Sequence, residues 1–115
     1  MDFEDQLILE IKRTVIEDNF AYYIQVLTET AADTISDSSR RALIESVRAG
    51  GEPAIDGLNS MIRQIMIDTL ASTLAVFDGS SVLPTMRDDF SILYDGKPVP
   101  QTLSDTLIES EEEDG

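Results

Sequence analysis

Between residues 53 and 77 the chain carries Leu58, Met61, Ile62, Ile65, Met66, Leu70, Leu74 and Phe77 at steps of three and four. That spacing gathers side chains onto one face of an α-helix. Ile67 and Val76 fall outside the stripe, so the helix is apolar around more than half of its circumference. A helix of that kind is central, covered on several sides by neighbours or by a second subunit. Pro53 suits its first position, where a missing N–H breaks no helical bond, and Asp78-Gly79 supplies the stop. The side chains outside the stripe, Ile67 and Val76, are the ones expected to meet a second copy of the chain in a homodimer.

Upstream, Phe3, Leu7, Ile8, Ile11 and Val15 predict a helix over residues 2–17. Asp2, Glu4 and Asp5 sit at its start and Lys12 and Arg13 late, as the helix dipole favours. A break or kink is expected near Asp18-Asn19, good capping residues, before a second helix carrying Phe20, Tyr23, Ile24, Leu27 and Ala31. One helix running through to about Thr34 is the alternative. The polar turn 36–39 offers several N-caps for a third helix with Leu43, Ile44 and Val47, which stops at Gly50-Gly51. A four-residue hinge then leads into the central helix, so the two are expected to pack as antiparallel neighbours.

After Gly79 the pattern changes. Residues 80–89 predict a loop, and Phe90-Ser91-Ile92-Leu93-Tyr94 alternates in part as a strand does. Asp95-Gly96 is a strong hairpin-turn signal, with Lys97-Pro98-Val99 as a short return arm on an edge. Thr102-Leu103-Ser104-Asp105 has the form of a capping box and starts a last helical turn or two with Leu103, Leu107 and Ile108. The fold expected is therefore mainly α: a bundle of about four helices, a small β-hairpin and a short C-terminal helix. Residues 1–110 form one domain, and 111–115 an acidic tail expected to be frayed or disordered.

Charge narrows the function. The 115 residues hold 23 acidic and 8 basic side chains, a formal net charge of −15. Phosphate contacts need Lys and Arg to release counterions, so a conventional nucleic-acid binder is not expected, and an anionic membrane surface would repel the chain. A basic protein partner suits it. Cysteine and histidine are both absent, which removes thiol nucleophiles, Ser-His-Asp triads and the commonest transition-metal ligands. The opening Asp2-Phe3-Glu4-Asp5 has the wrong charge for a signal peptide, and a cytoplasmic location is expected.

Candidate sites are few. Asp78, followed later by Asp88 and Asp89, offers oxygen ligands of the kind a hard divalent cation takes, but the EF-hand spacing is missing and a helix C-cap explains Asp78-Gly79 as well. Asp37-Ser38 at a helix start resembles the phosphopantetheine site of acyl carrier proteins. Ser39-Arg40-Arg41 then departs from that pattern, and an N-cap is the better account. Tyr22, Tyr23 and Tyr94 read as boundary residues with wet hydroxyls. Arg40, Arg41 and Arg48 are expected to pair with carboxylates of neighbouring helices. Glu109, Glu111, Glu112, Glu113 and Asp114 are the candidate rim charges toward a partner.

An apolar helix ending in Asp78-Gly79-Ser80-Ser81, then Phe90-x-Ile-Leu-x-Asp-Gly, then Leu103-x-Asp-x-Leu, resembles short, acidic, uncharacterised bacterial helical proteins. Some of those look like toxin-immunity proteins. The resemblance covers mainly residues 74–107 and carries no catalytic motif. It implies a non-enzymatic interaction protein, an inhibitor or immunity-type protein that covers a basic surface, with no cofactor. The alternative is a carboxylate-based ligand- or divalent-cation-binding domain or enzyme.

Overall fold

The computed structural model describes residues 2–79, 83, 85 and 90–114. The predicted loop 80–89 lies almost wholly outside the described residues. Five α-helices and one hairpin follow in order: α1 Phe3–Ile11, α2 Asp18–Thr28, α3 Ser38–Ala49, α4 Gly51–Asp78, β1 Leu93–Tyr94, β2 Lys97–Pro98 and α5 Leu103–Asp114. The fold is the mainly α bundle with a small hairpin that the periodicities predict.

Asp2 starts α1 by accepting the Asp5 N–H at 2.8 Å, the side-chain cap that an acidic opening supplies. No break follows at Asp18-Asn19. Both residues stay helical, and α1 runs into α2 through a π-helical segment, Lys12–Glu17, in which the Asp18 N–H bonds five residues back to Arg13. The wider turns shift the buried face. It runs through Ile8, Lys12 and Ile16 rather than through Val15, which is exposed. Phe3, also placed on the predicted stripe, lies outside as well, against Tyr94.

Asp37 caps α3 by accepting the Arg40 N–H at 2.8 Å, as its place in the polar turn predicts. The hinge to α4 is shorter than four residues. Gly50 alone separates the helices, and Gly51 turns the corner at φ +75°, a left-handed value that a side chain would strain. Pro53 therefore stands third in α4, still among the first-turn N–H groups that have no helical acceptor. At the far end Gly79, at φ +82°, closes α4.

Asp95 and Gly96 both take positive φ, 51° and 77°, the signature of the two-residue turn that matches strand twist. Leu93 pairs with Pro98 and Tyr94 with Lys97, and the Val99 N–H extends the arm to the Ile92 carbonyl at 2.8 Å. The ladder is shorter than predicted, because Phe90 and Ser91 take no part.

The main core joins Ile8 of α1, Ala71 and Leu74 of α4, Val99 after the hairpin, and Leu103 and Leu107 of α5. Toward the other end, α2 and α3 pack on the first half of α4 and bury Leu27 and Ile44. Two expectations for α4 reverse. Ile67 is only 7% exposed within the single chain, so it belongs to the monomer core and cannot be the dimer contact it was expected to be. Val76 is half-buried, whereas Met61 and Ile65, placed on the buried stripe, are 62% and 57% exposed.

Candidate functional site

The acidic C-terminal segment is where the charge of the chain meets its core. Helix α5 runs to Asp114, so residues 111–114 continue it rather than fraying. Leu103 and Leu107 face inward four residues apart, and Glu111 is the next residue on that face.

Both ends of α5 are tied down. At its start, Oδ2 of the buried Asp78 accepts the Ser104 N–H at 2.8 Å, so the last residue of α4 caps α5. The Ser104 hydroxyl donates to the Ala71 carbonyl at 2.9 Å. Glu4 Oε1 of α1 accepts from the hydroxyls of Thr102 and Thr106, the latter at 2.7 Å. The sequence predicts a local box from Thr102 and Asp105. Instead the carboxylate comes from a distant element and Asp105 faces solvent.

At its end, Arg63 of α4 reaches Glu111 Oε1 at 3.1 Å and Glu17 Oε1 of the π-helical segment at 2.6 Å. The Glu17 hydrogen bond, opposed by burial and aided by the nearby Glu111 charge, raises the Arg63 pKa above its ordinary value. Its stabilising part is complete below the unfolded guanidinium pKa and is lost only above it, so Arg63 brings no pH dependence near neutrality. Lys12, 6% exposed, donates to the Ser110 hydroxyl at 3.1 Å and lies 3.8 Å from Glu111. Lys12 and Arg63 together hold the last turns of α5, where a cation also complements the helix dipole.

Glu111→Ala should therefore destabilise the protein by about 1–2 kcal/mol. That lies above a surface pair and below a fully buried one, because Arg63 is about a third exposed. Urea denaturation measures it. A loss under about 0.3 kcal/mol would mean that the tail is undocked after all.

The other face of α5 is free. Asp105, Ile108, Glu109, Glu112 and Glu113 are exposed, and helical geometry places them side by side. A groove of about 410 Å³ between α1 and α5 carries Asp5 and Glu113 among its lining residues, which extends the acidic face onto α1. Of the predicted rim charges, Glu109, Glu112 and Glu113 point outward while Glu111 is turned inward and paired. The side chain of Asp114, like Asp88 and Asp89, falls outside the described residues. Asp78, the remaining metal candidate, is a helix cap, and no cluster of three or more potential metal ligands occurs among the described residues.

The expected arginine pairings differ too. Arg48 donates to the carbonyls of Val26, Leu27 and Thr30 at the end of α2, and Arg41 donates twice to the Ile35 carbonyl. Of the three, Arg40 alone approaches a carboxylate among the described residues, Asp37 at 3.9 Å. Arginine is a natural cap for a helix C-terminus, where carbonyls lack partners. Tyr22, Tyr23 and Tyr94 are exposed, as boundary residues should be. The sequence reading missed Arg63 and Lys12. The available signal was position: Arg63 is the single basic residue of a 28-residue apolar helix.

No family model, curated protein or solved structure matches this chain. The class that can be stated is the architecture itself, a mainly α bundle closed by an anchored acidic helix. Among the described residues no helix is long and apolar enough to cross a membrane.

Proposed function

We propose that the chain is a non-enzymatic interaction protein, of inhibitor or immunity type and acting in the cytoplasm, that covers a basic surface of a protein partner. The observation that supports this reading most is the division of α5. Its inner face is fixed by core contacts and by ties at both ends, while its outer face presents Asp105, Glu109, Glu112 and Glu113, with Ile108 along one edge. A rigid helix loses little entropy on docking. Acidic side chains beside one apolar anchor suit a Lys- or Arg-rich surface flanked by an apolar pocket, with charge steering the encounter and Ile108 entering the pocket.

Binding to a Lys/Leu amphipathic helical peptide tests the reading. Glu109→Lys with Glu112→Lys should weaken it at least tenfold more than Glu29→Lys with Asp33→Lys, which changes net charge equally on the α2 side. The difference should shrink as salt rises. Equal losses in the two variants would mean that bulk charge alone acts and that α5 is not the docking helix.

A further inference from the structure

We infer that a second copy of the chain packs on the outer face of α4, around Met61 and Ile65. The accessible surface of 8053 Å² is well above the roughly 6,200 Å² expected of a compact monomer of this mass. The radius of gyration, 17.7 Å, likewise exceeds the ~13 Å of a compact domain of this length. The surplus, about 1,800 Å², is more than the ~800 Å² each partner gives to a standard interface.

Location follows from burial. No residue of α4 before Ile67 is fully buried among the described residues, and Met61 and Ile65 project opposite the Ile67–Ala71–Leu74 face. Leu43, on the neighbouring α3, is half exposed. This end of the molecule has three helices packed together and only a thin core of its own.

Charge decides what fits there. Residues 20–70 hold seven acidic and four basic side chains, a net charge of −3, whereas the remaining residues carry −12. From residue 57 to 77 the helix has two charges: Arg63, turned to the inner face, and Asp68, exposed one turn beyond Ile65 beside the strip. A single carboxylate beside the strip gives a basic partner far less than the four on the outer face of α5, so such a partner is drawn to α5. Another copy of a chain at −15 is repelled from most directions but can approach by this one. Isologous pairing sets Met61 of one copy against Ile65 of the other across a two-fold axis.

The test is molar mass by light scattering on a sizing column, from about 1 to 100 μM. The wild type should give two chains. Met61→Glu and Ile65→Glu should each weaken association at least tenfold while keeping the helical circular dichroism, since both side chains are more than half exposed in one chain. Leu93→Glu, on the hairpin, should leave the dimer intact. A wild-type mass of one chain throughout, or a dimer indifferent to both α4 variants, overturns the inference.

A second measurement needs no disruptive charge. The chain has no cysteine, so a single introduced thiol can bond only to another copy. Under mild oxidation an equimolar mixture of Met61→Cys and Ile65→Cys should give a linked dimer with one chain of each, and Leu93→Cys should give none. No linkage in the mixture, or equal linkage at 93, also overturns it.

Discussion

Replacing Leu107 with alanine should cost about 3 kcal/mol and lower the melting temperature by roughly 10–15 °C. Leu107 has no exposed surface and packs within the main core with Ile8, Leu74 and Leu103. Removing three buried carbons forfeits their transfer free energy. It also leaves a cavity between helices whose positions are fixed by ties at both ends of α5, so collapse to fill it is limited. Ile108→Ala, one residue on and 43% exposed, should change stability by about 1 kcal/mol or less. Thermal denaturation at one fixed protein concentration compares the two, because any association would itself shift the midpoint. Equal effects would place α5 on the surface as an appendage and remove the anchored helix from the proposed docking mechanism.

Much of this architecture is legible in the chain because the relevant signals are local. Asp95-Gly96 specifies its turn without help from the rest of the fold, and Gly79 ends α4 because glycine accepts a left-handed φ readily. Helix α4 itself is legible from its apolar steps. Its rotation is not. When apolar side chains occur all round a helix, periodicity alone cannot decide which of them face inward. The polar residues decide it here. Arg63 must reach Glu17 and Glu111, and Asp78 must reach Ser104. Ile67, Ala71 and Leu74 lie between those two on the same face and are buried, which leaves Met61 and Ile65 outside.

The same reasoning explains α5. A run of carboxylates predicts a solvated tail when each charge is taken alone. Continued in four-residue steps from Leu103 and Leu107, however, the inner face reaches Glu111, where Lys12 and Arg63 stand. Those partners come from 99 and 48 residues upstream, a separation at which no short-range pattern links them. The π-helical segment has no sequence signal of its own. Its effect is to put Lys12 and Ile16 on the face that α1 presents inward, where an α-helical repeat favours Val15.

Asp78→Ala should cost about 2–3 kcal/mol, and Asp78→Asn about 1 kcal/mol or less. Asp78 is 5% exposed, and one of its oxygens accepts the Ser104 N–H at 2.8 Å. That N–H belongs to the first turn of α5, where no helical acceptor exists, and alanine would leave it buried without a partner. Asparagine retains an acceptor oxygen and loses only the attraction of a full charge for the helix N-terminus, commonly about 0.3–1 kcal/mol. The other oxygen of Asp78 is buried without a hydrogen bond, which offsets part of what the charge contributes. The order wild type, asparagine, alanine should therefore appear in melting temperature, with the alanine variant roughly 10 °C below wild type. Equal losses from Asn and Ala would show that charge and not the hydrogen bond fastens α5. Calcium or magnesium separates the cap from a cation ligand. If Asp78 serves as a cap, millimolar cation leaves the wild-type midpoint where it was; a midpoint that rises with cation in wild type but not in Asp78→Ala would establish Asp78 as a metal ligand.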